Sequence, residues 1–128
     1  MDVIIRRSDD SIVLIKRKNP PFKNYYAIPG GLLDYGETVE AAAIREVEEG
    51  TGLEVELTSL VGIYSEPERD PRGHVVSIVY SAKEIGGMLR ASSDAKSVRA
   101  FKKILKKLAF DHHKILVDSL TKWRSNEP

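Results

Sequence analysis

The chain opens on a β-branched run, Val3 to Ile5, and meets a second at Ile12 to Ile15. Ser8-Asp9-Asp10 supplies turn chemistry between them, so the two read as a hairpin. Asn19-Pro20-Pro21 then interrupts regular structure, because proline lacks the N–H that a ladder or a helix needs. Tyr25 to Ile28 is predicted as a strand, ended by Pro29-Gly30-Gly31. Thr38 suits an N-cap, Ala41 to Ala43 are strong helix formers, and Gly52 stands where that helix stops. Within it, Ala43, Ile44 and Val47 gather on one arc and are expected to be buried. Val55 to Tyr64 reads as one long strand or a pair, and Val75 to Ile85 as another, with Val76, Ile78 and Tyr80 in alternation. Phe101, Ile104, Leu105 and Leu108 fit a helical face, and His112 to Arg124 a last amphipathic helix on which Trp123 packs. Strands, helix, strands and helices in that order predict an α+β fold, a mixed sheet packed between helices.

Composition narrows the setting. The 128 residues suit a single domain, 1–128, with no internal repeat or linker. A formal net charge of +1 gives no electrostatic case for nucleic acid or for a membrane surface. No run approaches the ~20 apolar residues of a membrane span, and MDVIIRRSDD turns polar too soon for a signal peptide. The absence of cysteine excludes disulfides and thiol catalysis, and is compatible with a cytoplasmic setting. Lys102, Lys103, Lys106 and Lys107 alternate with apolar residues, the pattern of a solvated basic face on a helix rather than of a nucleic-acid site. His112 and His113 are adjacent, so on a helix they point apart and do not chelate.

Residues 31–53, GLLDYGETVEAAAIREVEEGTGL, carry the chemistry. An α-helix turns about 100° per residue, so Glu46 and Glu49 lie about 60° apart, close enough to share a cation. Position 50 falls about 40° to the other side of Glu46, and a carboxylate there would complete a three-acid face; this chain has Gly50. Glu48 lies about 200° away and does not replace it. Arg45 brings a fork of donors within reach of Glu49 at i+4. Hard cations such as Mg²⁺ take few protein carboxylates and keep places for water and phosphate oxygens, so such a face suits a metal held against a diphosphate.

Gly31, Glu37, Arg45, Glu46, Val47, Glu49, Gly52 and Leu53 together resemble the Nudix box, G-x5-E-x7-R-E-U-x-E-E-x-G-U, where U is a bulky aliphatic. Gly50 stands where that pattern has a second Glu. YSEPERDPRGHVVSIVY at 64–80, with Pro67 about fifteen residues beyond the box, and FDHHKIL at 110–116 are similar to the ADP-ribose pyrophosphatase-like branch of the family. The resemblance implies a Nudix-type α/β/α sandwich and a Mg²⁺- or Mn²⁺-dependent hydrolase acting on a small nucleotide, with Glu46, Glu49 and Arg45 as catalytic residues. Glu46, Glu49 and the Gly30 carbonyl would be the metal ligands, and Glu37 would stabilise the helix entry. Arg69 and Arg72, with His74 as an added donor, are candidates for pyrophosphate or ribose phosphate; the alternative is a solvated turn at Asp70-Pro71-Arg72-Gly73. Arg17 would support the catalytic helix or be a surface charge. The branch also implies a homodimer, for which no residue here speaks.

Residues 91–101, ASSDAKSVRAF, depart from the family as well: Ser93, Ser97 and Ala100 stand in a region from which relatives take a further acid. Asp94 is the acid that remains, and a cap or turn is its expected role. Three functions follow as expectations. The first is cleavage of a nucleoside diphosphate linked to another group, such as ADP-ribose, to AMP and ribose 5-phosphate. The second is a catalytically weakened domain that binds such a nucleotide as a sensor. The third is a nucleoside triphosphate pyrophosphohydrolase.

Overall fold

The computed structural model describes residues 1–92 and 95–125, with side chains through residue 121. In chain order the elements are β1 (Asp2–Arg6), β2 (Ile12–Arg17), β3 (Tyr26–Ala27), α1 (Val39–Thr51), β4 (Leu53–Tyr64), β5 (Ser77–Gly87), β6 (Ala95–Phe101) and α2 (His112–Ser125). Among the described residues six strands form one sheet, in the order β3-β2-β1-β5-β4 with β6 on β2. The sheet is mixed: β1 runs parallel to β5, whereas β1–β2, β2–β6 and β4–β5 are antiparallel. A strand has only two edges. Ile12 and Ile15 both pair with β6, Ile12 pairs also with Arg6, and Ile15 also with Ala27. One edge of β2 is therefore given to β6, and β1 and β3 share the other.

Alternation along β1 and β2 sorts the core into two layers. Ile4, Ile12 and Leu14 pack with Ile115 and Leu116 of α2, while Val3, Ile5 and Val13 pack with Ala43 and Val47 of α1. Each fully buried aliphatic side chain contributes about 1.5–3 kcal/mol over its exposed state, so both helices are fixed from opposite faces. This is the α/β/α sandwich expected from the order of elements.

Helix α1 ends where the sequence places its caps. The Thr38 side chain accepts from the Ala41 N–H, and Gly52 takes the left-handed conformation that a side chain disfavours. Its amide reaches the Glu48 carbonyl, and the Thr51 hydroxyl donates to Val47. Gly50 stays helical within this closed last turn. The buried stripe is Ala42, Ala43, Val47 and Thr51. Ile44, expected inside, is 38% exposed; one residue beyond Ala43, it has turned past the core-facing arc.

Three other expectations are corrected. Phe101 to Leu108 is no helix: Phe101 ends β6 opposite Ile12, and Leu108 bridges to Tyr26. The four lysines there are exposed on irregular backbone. The expected strand at Tyr25 to Ile28 contracts to two residues. Strand β5 runs from Ser77 to Gly87 rather than from Val75 to Ile85, and it buries Ser77, Val79, Ser81 and Ala82, with Ile78 and Tyr80 half-buried on the alternate face. Ser97 and Ala100 lie in β6, opposite Lys16 and Val13. Asp94 and the Trp123 side chain lie outside the described residues.

The short β3 matters because both of its edges are tied. Ile15 and Lys16 of β2 hold one. On the other, the Ala109 N–H donates to Tyr26 and the Ile28 N–H to the His112 ring. The chain then crosses to β1, where Val3 N–H donates to the Pro29 carbonyl and Asp2 bridges to Gly30. Residues 26–31 are thereby one fixed strap leading to the N-terminal side of the sheet.

Candidate active site

Arg45 organises the acidic end of α1. Its Nε and Nη2 grip both oxygens of Glu37 at 2.8 Å each. Nη1 donates to Glu46 at 2.9 Å and to Glu49 at 3.0 Å, and Nη2 also to the Leu32 carbonyl. A guanidinium has five N–H groups, and all five are engaged here. None remains for a substrate, so Arg45 is a positioning residue that draws Glu46 and Glu49 to one side of the helix. Ion pairing with these acids pushes its pKa further up, and Glu37 is held below the usual carboxylate range by Arg45 and the Asp34 N–H. Glu37 thus braces the helix entry, as its place in the sequence suggested.

Glu46 is pressed against the strap. A side chain at Gly31 would overlap the Glu46 carboxylate, so the absence of a Cβ there makes room for it. A side chain at Gly30 would likewise overlap Asp2 and the Met1 carbonyl. Glu49 is more open, with its side chain 61% exposed. A Cβ at Gly50 would meet nothing within 4 Å, so no packing demand keeps a carboxylate from that position. Among the described residues no group of three or more acids and histidines has metal-binding geometry. The oxygen donors beside α1 are two carboxylates, with backbone close by at Gly30 and Gly31. That is a small set of hard ligands of the kind Mg²⁺ accepts alongside water and phosphate.

Beside this face, the strap floors a cavity of about 320 Å³. Arg17, Arg69 and Arg72 all line it, but they differ in what they have to offer. Arg69 is occupied: it grips Asp111 with two hydrogen bonds of 2.9 and 2.8 Å and donates to Ser77 and the Val75 carbonyl, with its side chain 5% exposed. It fastens the loop after β4 to the start of α2. Arg72 is paired with buried Asp70 at 2.7 Å yet is 58% exposed. Arg17 spends its Nε on the Pro21 carbonyl and stacks on Phe110 at 4.9 Å, with Arg72 on the same ring at 5.5 Å. Arg17 therefore faces the cavity rather than supporting α1. Burial and the like charge of Arg72 lower its pKa, partly offset by Asp70. Two guanidiniums converging on one aromatic ring make a cationic wall suited to an anionic ligand. His74 turns away to the Ser65 carbonyl at 2.7 Å.

Phe110, Asp70 and His112 were not named as site residues from the sequence. Phe110 gives no signal of its role because it meets Arg17 and Arg72 from far along the chain, whereas Asp70 holds Arg72 only two residues away and reads in the sequence as part of a turn. His112 was tested only as a chelating pair with His113; its position at the N-terminal end of a predicted helix facing a strand was the available clue.

Residues 1–119 match the NUDIX domain family. The chain is 52% identical over 126 residues to the ADP-ribose pyrophosphatase of Methanocaldococcus jannaschii, covering 98% of this chain and 73% of that protein. It is 34% identical over 111 residues to the ADPR responsive transcriptional repressor NtrR of Acinetobacter baylyi, spanning 82% of this chain but only 44% of the repressor. Its fold matches the crystal structure of a MutT/nudix family protein from Enterococcus faecalis with a TM-score of 0.83 and 29% identity, over 97% of this chain and 61% of that one. It also matches the NUDIX domain of Shewanella oneidensis NrtR, solved with ADP ribose, with a TM-score of 0.81 at 23% identity, over 95% and 85% of the two chains. Among the described residues no helix is long and apolar enough to cross a membrane. With a matching box, a matching fold and a family match over most of its length, the chain belongs to the Nudix family.

Proposed function

We propose that this protein is a metal-dependent pyrophosphohydrolase of nucleoside diphosphates linked to a second group, with ADP-ribose as substrate and AMP and ribose 5-phosphate as products. The observation that carries the reading is the saturated Arg45, which holds Glu46 and Glu49 together, with Glu46 against the strap that floors a cationic cavity. The 52% identity to an ADP-ribose pyrophosphatase supports the choice of substrate. Glu46, Glu49 and the Gly30 carbonyl would hold Mg²⁺ or Mn²⁺. When bound, the metal supplies charge neutralisation on the diphosphate and a more acidic water. Arg45 fixes both carboxylates before substrate arrives, so little reorganisation is needed during reaction. Arg17 and Arg72 would orient the anionic substrate, Phe110 would give a ring for stacking, and Glu49, the more open acid, would accept a proton from the attacking water. Net, water adds across one P–O bond of the diphosphate. A homodimer in the cytoplasm is the setting we favour, on family resemblance.

A second reading has its own observation. Gly50 leaves the face one carboxylate short, which favours a domain that binds ADP-ribose and cleaves it slowly. AMP release from ADP-ribose with Mg²⁺, measured for the chain and its Gly50→Glu variant, separates the two. Comparable turnover by both supports the enzyme. Binding by both with turnover by the variant alone supports the sensor. Turnover confined to nucleoside triphosphates would replace the substrate and keep the chemistry.

A further inference from the structure

His112 does two things at once in the cavity wall. Its Nδ1 accepts the Ile28 amide N–H at 2.9 Å, so the neutral ring carries its proton on Nε2. The residue is 5% exposed and lines the cavity. Among the described residues Nδ1 carries the ring's hydrogen bond, and Nε2 is not one of the buried atoms left without a partner, so its N–H opens on the cavity, where a ligand oxygen can complete it. Asp2 lines the same cavity, its carboxylate packed over Gly30. Burial keeps the imidazole neutral: it outweighs the opposing pull of Asp2 and Asp111, and Arg69 and Arg17 add to it.

We propose that the His112 Nε2–H and the Asp2 carboxylate form a donor–acceptor pair that recognises a neutral polar edge of the substrate, one presenting an acceptor and a donor side by side. The proposal rests on the hydrolase reading above and adds the residues that would select the group attached to the diphosphate. A phosphate is the wrong partner here, because it would face the Asp2 charge; it belongs with Arg17 and Arg72. A ribose diol and the edge of a nucleobase both carry the required chemistry. His112 also ties Ile28 in the strap, so ligand contact at Nε2 and the placement of Gly30 share one side chain.

The test is imidazole ¹⁵N NMR on the full chain, titrated with ADP-ribose, AMP and ribose 5-phosphate, beside affinities of His112→Asn. The Asn oxygen keeps an acceptor for Ile28 but brings no donor to the Nε2 position. The expected result is a ligand-dependent Nε2 shift and an affinity loss of about tenfold in the variant, with the Ile28 amide still protected. A response to ribose 5-phosphate assigns the sugar; a response to AMP without it assigns the base. A ligand that binds while Nε2 and the variant's affinity stay unchanged overturns this proposal alone. Failure of all three to bind overturns it together with the hydrolase reading. Should His112→Asn not fold, the shift in the unmodified protein decides.

Discussion

The carboxylate of Glu46 occupies the space that a side chain at Gly31 would need. Helix α1 and the strap thus meet at one point with no slack, and the acid is set by backbone as well as by Arg45. Gly31→Ala is expected to drive Glu46 off its position. Displacements of this size cost on the order of a hundredfold in rate, so kcat/KM for ADP-ribose should fall that far while most of the fold survives. Unchanged kinetics with a repacked Glu46 would show that the acid need not lie on the strap.

Gly50 offers a cleaner manipulation, since a Cβ there would meet no other part of the protein within 4 Å. Gly50→Ala should raise stability by about 1 kcal/mol, the propensity difference within a helix. Gly50→Glu should gain less at neutral pH without metal, because a like charge would stand at i+4 from Glu46. Adding Mg²⁺ should reverse that ranking. Melting curves of the three proteins with and without Mg²⁺ read this directly; equal metal shifts for all three would remove position 50 from the metal face.

Acid should expose the role of Glu37. Its pKa is depressed in the fold by Arg45 and the Asp34 amide. A depressed carboxyl stabilises the fold above its unfolded pKa of about 4.3 and loses that contribution as pH falls through the lower folded value. Glu37→Gln should therefore be less stable than the parent at pH 7, and the two should converge once the pH has fallen below the depressed folded pKa. A deficit that persists in acid would mean that packing, not the charge, is what Glu37 supplies.

Arg69 is expected to matter for stability before it matters for substrate. Its side chain is 5% exposed and grips Asp111 through two hydrogen bonds. Arg69→Ala would leave Asp111 without that partner and should cost about 3 kcal/mol. Arg72→Lys, which keeps a charge beside buried Asp70 but loses the fork at an exposed position on the cavity wall, should instead raise KM with a smaller loss of stability. Denaturant titrations and KM values for the pair test the division; a large KM effect from Arg69→Ala at unchanged stability would overturn it.

Helix α1 was legible in the sequence because its signals are local. Thr38, the alanines and Gly52 each act within a few residues, and the Glu46–Glu49 spacing follows from the helical pitch. Strand β6 was not legible, since its partner β2 lies some eighty residues earlier and nothing in AKSVRAF announces it. The error at Phe101 to Leu108 has the same origin. The apolar spacing fits a helix, but Phe101 completes the ladder with Ile12 and Leu108 is held by Tyr26, so tertiary pairing overrides local period. The cavity arginines could be named from sequence but not ranked: both are ion-paired, to Asp111 and to Asp70, and what separates them is that Arg69 is buried while Arg72 is exposed.

The strap at residues 26–31 constrains how this protein can change over generations or in a laboratory. It floors the cavity at Ala27 and Ile28 and abuts Glu46 at Gly31. A substitution that reshapes the floor to admit a new substrate will also move the catalytic end, so selectivity and rate are coupled along this segment. Another part of the lining, Val75 and Val76, lies just before β5 and is half-exposed. Diversification of substrate range has its freer route there, where a library can vary the pocket and leave the reaction centre undisturbed.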